Sequence, residues 1–182
     1  MNIANTLTLF RILAIPVLVV ILLSDFRGRE IIGTAVFVLA ALTDFFDGYL
    51  ARLKNQTTVI GQLLDPTADK LLIASSLICL VDRGVLPAWI AIVIIGREIA
   101  VTGFRSIASS LGVSIPAEWP GKVKMQLETW SIALLILGPK ILGGLYIVAE
   151  IGIWLAMTAA ILSAVHYGIR FGRIVLSRDV PQ

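Results

Sequence analysis

Residues 31–70 read IIGTAVFVLAALTDFFDGYLARLKNQTTVIGQLLDPTADK. An apolar run runs straight into Asp44 and Asp47, and an aspartate at the centre of a bilayer costs about 2.5–3.5 kcal/mol on insertion scales. At about 100° per residue, a helix sets Asp44, Asp47, Gly48 and Ala51 along one stripe, acidic at one end and nearly bare of side chain at the other. The next apolar segment repeats the device, with Gly61, Asp65 and Asp69 at i, i+4 and i+8. Packed against each other, the two helices would gather four carboxylates, which a pair of hard divalent cations neutralises through oxygen ligands. Mg²⁺ or Mn²⁺ suits that donor set, whereas zinc would want histidine or cysteine. The plainer reading has these aspartates capping helices or pairing with Arg52, Lys54 and Lys70. It serves for any one of them but leaves the matched glycines on matched faces unexplained.

Outside this stretch the chain is equally apolar. Of its 182 residues, 58% are hydrophobic and 15% charged, and the mean hydropathy is +0.94, against about 25% charged in soluble domains. A bilayer span needs about 20 mostly apolar residues, and six runs qualify, at 7–23, 31–51, 60–81, 86–108, 125–142 and 144–168. The expected architecture is an all-α integral membrane protein, one domain over 1–182, in which six transmembrane helices enclose a polar cavity. The first run carries Arg11 within it and no basic segment ahead of it, so it reads as a retained span and not a secretory signal. Cys79, the only cysteine, excludes an intrachain disulfide framework and reads as a buried thiol. His166 reads as a packing or boundary residue.

Six spans place both termini and the second and fourth loops on one side. That side holds 11 of the 15 basic residues, the other only Arg27, Arg29, Arg83 and Lys140. The positive-inside rule makes the richer side cytoplasmic, so the expected location is the cytoplasmic membrane of a bacterial-type cell, multi-pass, with both termini inside. Arg170, Arg173 and Arg178 read as a juxtamembrane tail beside anionic lipid. No nucleic-acid partner is expected.

Written out, the acidic stretch is D-x2-D-G-x2-A-R-x8-G-x3-D-x3-D, filled by Asp44, Asp47, Gly48, Ala51, Arg52, Gly61, Asp65 and Asp69. It resembles the signature of the CDP-alcohol phosphotransferase family, with no departure in residue or spacing. The resemblance implies a six-helix membrane fold, a homodimer, and a cavity open to the cytoplasm that holds two divalent metals. It implies Asp44, Asp47, Asp65 and Asp69 as metal ligands, Asp69 also as general base, and Gly48 and Arg52 at the cytidine diphosphate part of a CDP-diacylglycerol donor. Asn5, Thr8 and Arg11 recur every three residues into the start of the first apolar run, and the same resemblance sets Asn5 and Thr8 near the nucleotide. Their alternative is an Asn/Thr helix start at the membrane interface.

The acceptor must be read elsewhere. Arg97 lies within IAIVIIGREIAVTGF (90–104), an expensive place for a cation unless it lines a cavity, and Arg105 follows two turns on. Lys122 and Lys124 open the fifth run in WPGKVKMQLE (119–128). Arginine binds phosphate through its fork and lysine as a point charge, so four cations converging from two helix ends fit a phosphate-bearing alcohol better than a neutral one. Their order resembles the branch of the family that uses glycerol 3-phosphate, which makes Arg97, Arg105, Lys122 and Lys124 the expected acceptor-phosphate residues. Glu98 reads either as the partner of Arg97 or as a residue behind it. An inositol phosphate acceptor, then phosphatidylglycerol, are the alternatives within the enzyme class. From another class come an ion-coupled transporter, which predicts paired repeats or interrupted spans that the sequence lacks, and a scaffold bundle, which predicts that the aspartates are singly dispensable.

Overall fold

A computed structural model describes the backbone of residues 3–54, 59–110 and 119–176, and within these the side chains of 8–43, 64, 66–110, 125–169 and 172. The regular structure of the described residues is all helical: α1 Ile3–Leu23, α2 Arg29–Lys54, α3 Val59–Asp82, α4 Ala88–Ser110, α5 Trp119–Leu137, a short α6 Pro139–Leu142, a 3₁₀ turn Gly143–Leu145, and α7 Tyr146–Leu176. Among the described residues, Pro139–Ile169 is the one segment both long and apolar enough to cross a bilayer by itself, while Thr8–Leu23 and Met125–Leu137 are apolar but shorter.

Helical periodicity explains which faces turn inward. On α2 the buried positions Gly33, Phe37 and Ala40 step by four and three, and the same alternation carried on reaches positions 44, 47 and 51. The acidic stripe is therefore the continuation of the face that builds the core. On α3 the buried Ala68, Leu72, Ser76 and Leu80 step by four, with position 69 beside them and position 65 one turn earlier. Pro66 stands in the interior of α3, not in its first turn, so the carbonyl of residue 62 receives no backbone N–H there.

α1 lies against both α2 and α3 over much of its length, and α2 and α3 touch each other less extensively. Thr8, Arg11, Ile15, Leu18 and Leu22 form the buried stripe of α1. The pairing with α2 is antiparallel: a Cβ added at Gly33 would meet Leu22 at 2.7 Å, and Arg11 Nε donates to the Ala40 carbonyl at 3.3 Å. Carried one or two turns further, that register brings Thr8 and Asn5 to the level of Asp44 and Asp47.

At the opposite end, α1 is closed by two arginines, Arg29 at the start of α2 and Arg83 in the turn after α3. Arg83 donates from Nε to the Leu22 carbonyl and from Nη2 to the Ser24 carbonyl, each at 2.9 Å. Arg29 Nη1 reaches the same Ser24 carbonyl at 3.3 Å, and both arginines pair with Asp25. These bonds satisfy carbonyls that a helix C-terminus leaves without intrahelical donors. A cavity of about 190 Å³, lined in part by Leu22, Arg29, Glu30, Arg83 and Lys140, opens at this end.

α3 ends in a Schellman motif: Gly84, at φ +66°, donates to the Val81 carbonyl, and Val85 donates to the Leu80 carbonyl, each at 2.9 Å. Glycine takes that left-handed conformation without the steric penalty of a Cβ. The fifth helix does not occupy the expected 125–142. It begins earlier and stops at Leu137, because Gly138 takes φ +78° and Pro139 has no N–H with which to continue the ladder.

α5 and α7 pack closely. Ala149, Gly152, Ile153, Ala156 and Ala160 make the buried seam of α7, and small residues allow such close approach. A Cβ at Gly152 would lie 2.3 Å from Ser131 Oγ, whose hydroxyl is already committed to the Leu127 carbonyl at 2.6 Å. Gly152→Ala is therefore expected to cost about 1–3 kcal/mol. Thermal unfolding should show a lowered midpoint, whereas Gly144→Ala, with nothing within 4 Å of the added Cβ, should match the parent protein.

Candidate active site

α4 and α7 run parallel in a constant register. The rings of Trp89 and Trp154 meet edge to face with centroids 5.3 Å apart, Arg97 meets Ser163, and Val101 clusters with Tyr167. Arg97 falls in the inward stripe of α4 with Ile90, Ile94, Val101 and Ala108, and its side chain is only 10% exposed. Its Nη1 donates to Glu98 Oε1 at 2.5 Å and its Nη2 to Ser163 Oγ at 2.6 Å. Its Nε is buried and has no hydrogen-bond partner among the described residues. Glu98 is thus the ion-pair partner of Arg97, the first of its two expected roles.

Arg105 is exposed and lies two turns, about 12 Å, further along α4. Of the four expected acceptor-phosphate residues, Arg97 is thus deep and Arg105 lies at the surface of the same helix. Helical position without the neighbouring helices could not decide this, because burial of Arg97 depends on α7. Lys122 and Lys124 lie at the start of α5, with side chains outside the described residues.

Asp69 is part-buried and engaged in an interaction within the structure. Its helix and α4 are joined by residues 83–87, and by helical rise Asp69 lies about 20 Å and Arg97 about 14 Å from that connection. Carboxylate and buried guanidinium thus stand within about one turn of the same depth. The side chains of Asn5, Asp44, Asp47, Gly48, Arg52 and Asp65 lie outside the described residues, and their backbone places them on the α1, α2 and α3 segments already traced. Thr8 is buried, with 1% of its surface exposed.

Three further residues have places in the structure that the motif does not assign. Arg11, one of the cations on the basic-rich side, is fully buried between helices, and its signal in the sequence is an arginine in phase with Thr8 and Ile15. Ser163 carried no signal, since its partner is 66 residues away. Glu128, 4% exposed on the inward face of α5, could have been found as an acid in phase with Ile132 and Leu135. Cys79 is buried and free as expected. His166 is exposed and packs edge to face with Tyr167, with centroids 6.1 Å apart.

Two acidic helix positions in series on α2, two on α3 and a deep arginine on α4 are joined by the match of residues 1–165 to the CDP-alcohol phosphatidyltransferase family. The chain belongs to that family. Relatives within the CDP-alcohol phosphatidyltransferases agree. The chain is 38% identical over 168 residues to the CDP-diacylglycerol–glycerol-3-phosphate 3-phosphatidyltransferase of Rickettsia felis, covering 91% of this chain and 93% of that one. It is 37% identical over 180 residues to the protein of the same name from Bacillus subtilis, covering 91% and 93%. It is 38% identical over 173 residues to a probable phosphatidylglycerophosphate synthase of Mycobacterium tuberculosis, covering 93% and 79%.

Proposed function

We propose that this CDP-alcohol phosphatidyltransferase moves the phosphatidyl group of CDP-diacylglycerol to glycerol 3-phosphate, giving phosphatidylglycerophosphate and CMP. The observation that carries the reading is a buried arginine at about the depth of Asp69, in a chain whose named relatives act with glycerol 3-phosphate. A hydroxyl of glycerol 3-phosphate attacks the phosphorus that bears the diacylglycerol. A new P–O bond forms, the bond to CMP breaks, and the hydroxyl proton passes to the Asp69 carboxylate. Arg97, with Arg105, Lys122 and Lys124, binds the acceptor phosphate. Asn5, Thr8, Gly48 and Arg52 hold the nucleotide part of the donor.

The donor set fits a pair of hard cations: residues 31–70 supply four carboxylates and neither histidine nor cysteine. Asp44, Asp47, Asp65 and Asp69 would hold two Mg²⁺ or Mn²⁺ ions, which when bound supply charge neutralisation at the pyrophosphate. The apolar helices form six spans of one domain in a bacterial-type cytoplasmic membrane. The basic residues argue for a cavity and both termini facing the cytoplasm, and the protein works as a homodimer among membrane lipids.

CMP release by purified protein in detergent tests this, with CDP-diacylglycerol and Mg²⁺ supplied and glycerol 3-phosphate or inositol phosphate added separately. Release with glycerol 3-phosphate, abolished by EDTA and restored by Mg²⁺ or Mn²⁺, is the expected result. Release with inositol phosphate alone would replace the acceptor, and release untouched by EDTA would remove the metals.

A further inference from the structure

We propose that Ser163, on α7, is a positioning residue for the phosphate-bearing acceptor, acting through Arg97; this rests on the transferase reading above. Of the three guanidinium nitrogens of Arg97, Nη1 is held by Glu98 on its own helix and Nη2 by Ser163 from the neighbouring one. Nε is the one guanidinium nitrogen with no hydrogen-bond partner among the described residues, and it is buried. A buried N–H donor left unsatisfied is unfavourable, so native structures rarely keep one. An anionic phosphate oxygen is the ligand chemistry that answers it, and a charge-assisted bond in a poorly solvated site is a strong one.

The two holders contribute differently. Glu98 fixes one end of the guanidinium but also opposes its charge. The Ser163 hydroxyl fixes the other end and leaves the charge intact. Without it, rotation about the terminal torsions lets Nη2 turn toward Glu98 as well, which closes the fork on a carboxylate and takes Nε out of place. Ser163 thereby sets an arginine with several rotatable bonds in one orientation before the acceptor arrives, and preorganisation of this kind shows up as affinity. The constant register of α4 against α7, fixed above and below by Trp89 with Trp154 and Val101 with Tyr167, keeps the hydroxyl at the right level.

The test is steady-state CMP release by the full-length protein and its Ser163→Ala, Ser163→Val and Ser163→Thr variants, varying each substrate in turn. Loss of one hydrogen bond to a charged group predicts that Ser163→Ala and Ser163→Val raise the KM for glycerol 3-phosphate about tenfold or more. The KM for CDP-diacylglycerol and kcat at saturating acceptor should stay within about twofold of the parent, below the loss of one typical hydrogen bond. Threonine keeps the hydroxyl and valine has its shape without it, so Ser163→Thr should recover the acceptor KM and Ser163→Val should not. An unchanged acceptor KM in Ser163→Ala, equal shifts for threonine and valine, or a donor KM that moves with the acceptor KM would each overturn the proposal. The parent protein separates the two levels: no release with glycerol 3-phosphate overturns the transferase reading itself, whereas normal release with unmoved variants overturns only the role of Ser163.

Discussion

Asp69→Asn is expected to lower kcat by about 10²- to 10⁴-fold, the usual worth of a general base, while CDP-diacylglycerol and divalent metal still bind. Asparagine has the shape of aspartate and keeps one carbonyl oxygen as a ligand, but it cannot accept the proton of the attacking hydroxyl. The surroundings should tolerate the change, because Asp69 is part-buried on α3 beside the closely packed Ala68 and Leu72, and the substitution adds no volume there. Asp65→Asn, one turn earlier and proposed only as a ligand, should weaken metal binding as well as turnover. Single-turnover CMP formation together with calorimetric titration of Mg²⁺ distinguishes the two. Equal losses of metal affinity in both variants would remove the separate role given to Asp69.

The second large effect is one of stability. Arg11 is the largest side chain fully buried in the described structure, and its Nε donates to the Ala40 carbonyl one turn before Asp44. Arg11→Ala removes the volume, the bond, and a cation from the seam that leads into the carboxylate stripe. Truncating a large buried side chain to alanine costs about 2–5 kcal/mol, and for a chain of this size each kcal/mol moves the midpoint by about 2–4 °C. A fall of about 10 °C in the thermal midpoint is therefore expected, with turnover lost in parallel as the stripe opens. Arg11→Lys should recover part of it, since it restores charge but cannot reproduce the Nε donor. A midpoint for Arg11→Ala within about 1 °C of the parent, less than the shift for one kcal/mol, would show that the buried cation contributes nothing.

What could be read from sequence was what obeys periodicity. The stripe through positions 44, 47 and 51 needs only helical spacing, and it continues the buried face of Gly33, Phe37 and Ala40. The depth of Arg97 followed from the cost of a cation in an apolar run. Relations between helices were less legible. Nothing in the spacing told that α1 would lie against both α2 and α3, because an apolar face does not name its neighbour. The fifth helix was misplaced because hydropathy continues across Gly138 and Pro139 while the backbone turns there. Arg97 and Arg105 looked alike as cations eight residues apart. The structure turns one toward Ser163 and leaves the other exposed.

The burial of Arg11 also bears on the order in which the chain assembles. On the membrane reading, an arginine in the first apolar segment makes that segment a poor candidate for stable insertion by itself, since the charge would face hydrocarbon. The Ala40 carbonyl that receives Nε belongs to the next helix, and the arginines that finish the far end of α1 come from the start of α2, Arg29, and from the turn after α3, Arg83. The first segment is completed only by chain that is synthesised after it. On that reading the smallest unit that settles in the bilayer is the α1–α2 hairpin, and the proposed nucleotide end of the site is built as that hairpin closes.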